Sequence, residues 1–288
     1  MAEILRILVN GFMISALYVT IAVGFTLIFG VGGILNFAHG GVLTAGAFTA
    51  YIVSNPNWFG LNPVIGILAG VAVGGVIGAA LYLGVVKRIE TPLAVGIATL
   101  IIGFLLAAFF RVFVTDDTIT VSQVVAGSFD IAGQEVQLFQ LFVFVLSWAI
   151  ILTVLWFVTQ TKTGTALVAT SLSERGAALV GIDSERINLL TWVIASALAA
   201  LGGMLLMMLQ TGGWQMGIDP LILSFAIVIL GGLGSIKGSI VGAHIIGFTE
   251  TITVTVLAPE YQGMSAFILL LVFLLVKPEG IYGREAVE

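Results

Sequence analysis

The chain has 288 residues, of which 59% are hydrophobic and 9% charged, with a formal net charge of -5. Soluble domains carry about 25% charged residues, so too little polar surface exists here for a water-soluble globule, and a mean hydropathy of +1.19 points to a polytopic membrane protein. The absence of cysteine excludes disulfides, thiol nucleophiles and cysteine-held metals, and nothing in the charge calls for a nucleic-acid partner.

About 20 apolar residues cross a bilayer as helix. The N-terminal segment carries Glu3 and Arg6 and shows no small-residue cleavage signal before the next span, so it is expected to be a retained first helix. In chain order the predicted spans are 7–29, 38–54, 63–86, 92–114, 138–159, 187–209, 220–236, 239–257 and 263–276. Nine result, with eight the nearest alternative, because the second, seventh and ninth are short and open to being tilted, broken or re-entrant. The expected fold is therefore an all-α polytopic membrane protein of about 8–9 transmembrane helices, one domain over 1–288.

Loops retained in the cytoplasm are enriched in Lys and Arg. Lys87 and Arg88 mark one such loop, Lys162, Arg175 and Arg186 a second, and Lys277 and Arg284 the tail. The segments 55–62, 115–137, 210–219 and 258–262 carry no Lys or Arg and are expected outside. That places the C-terminus in the cytoplasm and, with nine spans, the N-terminus outside, which Arg6 fits poorly. Alternation around Ala132 and Gly133 predicts a small external β-hairpin within 115–137.

The stretch "FGVGGILNFAHGG", 29–41, interrupts lipid-soluble helix with five glycines, Asn36 and His39. Irregular backbone at membrane depth survives only inside protein or beside a water-filled cavity. A second cluster, "LGGLGSIKG" at 230–238, sits at a similar place in the other half. Paired broken segments point to a transporter path, which makes Gly32, Gly33, Asn36, His39, Gly40, Gly231, Gly232 and Gly234 candidate path residues. The alternative is a pair of ordinary glycine-rich turns at the cytoplasmic surface, which Lys237 favours for 230–238.

Glu250, inside an apolar span, joins the path candidates because an intramembrane carboxylate is costly; the alternatives are a place at the external end of its span or hydrogen bonds to neighbouring threonines. His39 and His244, the two histidines, have no carboxylate or cysteine company that would make a metal site, so no metal is expected. Helix packing is as good an account of His39 as solute contact, and the favoured one for His244. Arg111 reads as a snorkelling anchor. "GGLGSIKGS" has Ile236 where a phosphate-binding loop needs its second glycine, so the chain is expected neither to hydrolyse ATP alone nor to be an enzyme.

The segment 161–186, "TKTGTALVATSLSERGAALVGIDSER", contains two helix-sized pieces, 164–172 and 174–181, with Ser173 as N-cap of the second. With that loop in view, nearly the whole chain resembles the LivH-type permeases of branched-chain amino acid ABC importers, related to urea and amide permeases. The resemblance rests on "ALYVTIAVGFTLIFGVGGILNFAHGG" (16–41), "GAALVGID" (176–183), "ILGGLGSIKGSIVGA" (229–243) and "VKPEGIYG" (276–283). It implies a permease in a prokaryotic plasma membrane, paired with a second permease (LivM-like, or a second copy), two cytoplasmic ATPases that use ATP and Mg, and an external solute-binding protein. This chain would bind no cofactor itself. By the same resemblance 161–186 holds the coupling helices, with Gly164, Ser173, Glu174, Gly176, Ala177, Ala178 and Gly181 at the ATPase contact. The expected function is import of branched-chain or other aliphatic amino acids; the alternatives are a urea or short-chain amide permease, or a channel or gradient-driven carrier working alone.

Overall fold

The computed structural model describes residues 2–131, 134–277 and 279–283. In chain order its helices are α1 (Ala2–Gly32), α2 (His39–Ser54), α3 (Pro63–Gly84), α4 (Pro92–Phe113), α5 (Leu138–Gln160), α6 (Lys162–Leu172), α7 (Glu174–Leu179), α8 (Ser184–Leu209), α9 (Ile218–Gly231), α10 (Ile236–Ile252) and α11 (Met264–Val276). A π-helical turn, Thr253–Leu257, prolongs α10. Strands β1 (Ser128–Ile131) and β2 (Gln134–Gln137) form an antiparallel hairpin in which Ser128 pairs with Gln137 and Ile131 with Gln134. The predicted turn residues Ala132 and Gly133, and Arg284 in the tail, lie outside the described residues.

Among the described residues six helices are long and apolar enough to cross a membrane: α1, α3, α4, α5, α8 and α10 with their extensions. The shorter α2, α9 and α11 account for the other three predicted spans. Caps decide where the helices begin, as expected at α3 and earlier than expected at α8. Asn62 starts α3 by accepting from the Val64 N–H, with Pro63 at the first position. Asp183 caps α8 through the Arg186 N–H, so that helix begins three residues before the predicted span.

Burial ranks the helices. In α1 and α8 78% of the apolar window is buried, against 28% to 33% in α3, α4, α5 and α10, so α1 and α8 form the axis and the others the lipid-facing ring. Small residues bring the ring close. Gly66, Gly70, Gly74 and Gly78 recur every four positions on α3 and face Ala50 and Gly46 of α2 and Met204, Ala200, Ser196 and Trp192 of α8. In lipid, where burial of apolar surface gives no net drive between helices, such backbone approach is what holds them.

Two faces are distinguishable. One carries the hairpin, the segments 55–62 and 258–262, and the start of α1; the other carries Lys87, Arg88, α6, α7 and the 232–235 turn. On the second face Lys87 pairs with Glu185, tying the α3–α4 connection to the first turn of α8.

Candidate translocation site

The break after α1 spans residues 33–38. Helix α1 runs through Gly30 and Gly32, and Gly33 then turns with φ +61. The chain folds back into the bundle, where Asn36 and His39 are 1% and 0% exposed. Asn36 organises the return: its Oδ1 accepts from the Ala38 N–H at 3.1 Å, its carbonyl accepts from the His39 N–H at 3.3 Å, and the Phe37 N–H donates to Thr99 Oγ1 of α4 at 3.2 Å. His39 Nε2 lies 3.1 Å from the Ile21 carbonyl of α1 and its ring stands edge-on to Phe25. The first turn of α2 thus begins at mid-depth, with Gly41 against Gly103 at the midpoint of α4.

The 29–41 stretch meets the 230–238 cluster at Gly30, which packs on Gly234, and its inner end meets a different segment. Gly40 abuts the Gly217 carbonyl, at the residue before α9. It is the segment 210–217, "QTGGWQMG", that dips to mid-depth, so two short helices, α2 and α9, start nose to nose inside the bundle. Gly231, Gly232 and Gly234 lie fourteen to seventeen residues on, at and just past the end of α9 on the basic face. There Gly231 packs on Gly238, Gly232 (φ +102) on Gly283, and Gly234 (φ +80) on Gly30. The sequence carries the signal, since Gly212, Gly213 and Gly217 crowd one short stretch, but the lack of Lys and Arg in 210–219 makes it read as an external loop.

Cavities lie at both ends of the α1–α10 seam. On the basic face a cavity of about 500 Å³ is lined by Phe29, Gly30, Leu167, Ser171, Gly234 and Tyr282. On the hairpin face a cavity of about 600 Å³ reaches Leu206, Met216, Asp219, Ala226, Glu250 and Phe267. A smaller one of about 230 Å³, with Arg6, Asn10 and Gln140 at its rim, meets it at Tyr18, Glu250 and Gln262. Between the two ends the seam is sealed by Thr26 Oγ1 and Ser239 Oγ, 2.6 Å apart. Tyr18 and Thr26 are eight residues apart, so about 12 Å of packed helix separates the cavities.

Glu250 is 4% exposed. Its Oε2 accepts from Tyr18 Oη at 2.5 Å and its Oε1 from the Gly263 N–H at 2.9 Å, joining α10 to α1 and to the residue before α11. The nearby threonines take no part, because Thr249, Thr251 and Thr253 donate to carbonyls one turn back in their own helix. His244 does likewise through Nδ1 and the Ile240 carbonyl and packs on Phe12 and Trp148. Arg111 pairs with Asp116 and lies over the Trp214 ring at 5.0 Å, holding the dipping segment from the hairpin side.

On the basic face Thr161 caps α6 through the Gly164 N–H and Ser173 caps α7 through the Gly176 N–H, each at 3.0 Å. Gly164 packs on the backbone of Phe157 and Val158, fixing the corner between α5 and α6. The end of α7 closes with Gly181 N–H to the Ala178 carbonyl and Ile182 N–H to the Ala177 carbonyl, the paired bonds of a Schellman motif, and Gly181 has φ +83. Glu174 receives Asn188 Nδ2 from α8 at 3.0 Å, and Ala177 is buried beneath the turn.

The family model described as branched-chain amino acid transport system / permease component matches residues 7–276. The chain belongs to this permease family. The permease is 32% identical to the high-affinity branched-chain amino acid transport system permease protein BraD of Pseudomonas aeruginosa, over 99% of this chain and 97% of that one. It is 29% identical to LivH of Escherichia coli, a permease protein of the same description, over 97% and 95%, and 30% identical to a probable LivH of Methanocaldococcus jannaschii, over 97% and 92%. A solved chain of PsaBC from Streptococcus pneumoniae in complex with Fab shares the fold of the permease, with TM-score 0.51 and 18% identity over 96% of this chain and 94% of that one.

Proposed function

We propose that this permease forms the membrane path of an ABC importer for branched-chain or similar aliphatic amino acids. The observation that carries the reading is the family match across nearly the whole chain, shared with relatives named for that transport. The hairpin face is external, receiving solute from a binding protein, and the basic face with the C-terminal segment is cytoplasmic, in a prokaryotic plasma membrane. Solute follows the α1–α10 seam: Glu250 borders the outer cavity, Gly234 the inner one, and Gly40 and His39 hold α2 beside it. Gly32, Gly33, Asn36, Gly231 and Gly232 act as the fixed turns that let these helices begin and end where they do.

Energy comes from partners that bind ATP and Mg, and this chain supplies the path. Helices α6 and α7 form the surface an ATPase grips through Ser173, Glu174, Gly176, Ala178 and Gly181, beside the exposed Leu172, Leu179 and Val180; Gly164 and Ala177 are buried and support that surface from beneath, not at the contact itself. A second permease, identical or homologous, completes the path. The test is uptake of labelled leucine into proteoliposomes holding the full complex. Uptake that needs ATP inside or out according to orientation, plus the binding protein, supports the reading; uptake by this chain alone on an ion gradient overturns it in favour of a stand-alone carrier.

A further inference from the structure

Glu250 is under-compensated for its depth. Two neutral donors, one on each oxygen, leave each oxygen a lone pair to offer; Arg6 lines the adjoining smaller cavity but makes no ion pair with Glu250 among the described residues, and a buried carboxylate so placed is costly enough to imply a use. It forms part of the wall of the 600 Å³ cavity, a size within the range of about 300–1,000 Å³ that suits small-molecule sites. Among the described residues no Lys, Arg or His lines that cavity, while Asp219 adds a second acid. The rest of the wall is largely aliphatic or aromatic, including Leu206, Leu223, Ala226 and Phe267.

The local backbone is shaped around this position. Immediately after the turn that carries Glu250, α10 widens into the π segment Thr253–Leu257, closed by the Ala258 N–H to the Thr253 carbonyl; π turns inside helices recur at functional sites. Gly263, with φ +80, then aims its N–H at Glu250. A small metal ion is a poor occupant, because no group of three His, Cys, Asp or Glu gathers among the described residues. A group bearing several N–H donors and one positive charge fits the free lone pairs.

We infer that the outer cavity binds the primary ammonium group of its solute on Glu250, oriented by Tyr18 and Gly263, with the aliphatic side chain against the α8–α9–α11 wall. This rests on the importer reading and deepens it: the membrane subunit recognises the amino group itself and does not leave selection to the external receptor. It excludes urea and neutral amides as good solutes.

The test is equilibrium binding of labelled L-leucine to the detergent-solubilised membrane complex without binding protein, for wild type, Glu250→Gln, Glu250→Asp and Tyr18→Phe. Wild type binds leucine; Glu250→Gln weakens binding by about 10-fold to 100-fold, the scale of one charged hydrogen bond; Glu250→Asp recovers part of it, and Tyr18→Phe loses less than Glu250→Gln. In the wild-type complex 3-methylbutylamine, which keeps the amino group, displaces leucine better than 4-methylpentanoate, which keeps the carboxylate. This comparison decides the matter even if a variant fails to assemble. Absence of leucine binding in wild type, equal binding by Glu250→Gln, or the reverse order of displacement overturns the inference. ATP-driven leucine uptake in the same preparation shows separately whether the importer reading stands.

Discussion

At the scale of single residues, the glycines divide by what a methyl group would meet. One on Gly46 would overlap the backbone of Ala200, where α2 crosses α8. Gly46→Val should therefore cost about 1–3 kcal/mol from overpacking, read as a lower thermal midpoint of the solubilised complex. Gly84, at the end of α3, has nothing within 4 Å of an added methyl; Gly84→Ala should be neutral or gain up to about 1 kcal/mol from helix propensity. Composition cannot tell these two residues apart, because both sit in the same kind of apolar run and differ only in what another helix places opposite them. Glu250 stood out in the sequence as an acid among apolar residues. Tyr18 did not, since its hydroxyl finds Glu250 232 positions away, and an aromatic in an apolar span carries no mark of its partner.

At the scale of elements, α6 and α7 were legible because local chemistry writes them: Ser173 caps one, and the "GAALVGID" motif contains the glycine its Schellman turn needs. Gly181→Val forces a branched side chain into φ +83, at a cost of about 1–2 kcal/mol per residue. That is enough to shift the closed turn roughly 5-fold to 30-fold toward an open one. Leucine uptake per ATP hydrolysed should fall by a similar factor in the reconstituted complex, with binding-protein affinity unchanged. Gly176→Ala is the contrast. Alanine keeps the Gly176 N–H to the Ser173 cap, and its methyl meets only the Ser173 side chain, at 3.3 Å, so coupling should fall far less than in Gly181→Val. The second dipping segment was less legible than these turns. Residues 210–217 have the glycines of a break, but their depth is set by the Gly40–Gly217 contact and by Arg111 over Trp214, both long-range.

For the whole molecule, hydrophobic run lengths were enough to place nine apolar helices, because in lipid each span must satisfy its own backbone and so announces itself. Which helices form the axis was hidden, since α1 and α3 read as similarly apolar and only packing buries the first. The seam between α1 and α10 has a cavity at each end and a short sealed stretch between, an arrangement that alternating access requires to open. Thr26 and Ser239 hold that stretch with their hydroxyl oxygens 2.6 Å apart, close enough for sulfurs in their place to approach the bond length of about 2.05 Å. The chain has no cysteine of its own, so the double variant Thr26→Cys with Ser239→Cys introduces the only pair. If solute passes along this seam, oxidation should reduce leucine uptake to the level measured without ATP, and a reductant should restore it, while each single variant transports as wild type. Full uptake by the oxidised pair, with the cross-link verified by mass spectrometry, would show that α1 and α10 stay closed throughout the cycle and that solute travels elsewhere, along the surface that meets the second permease.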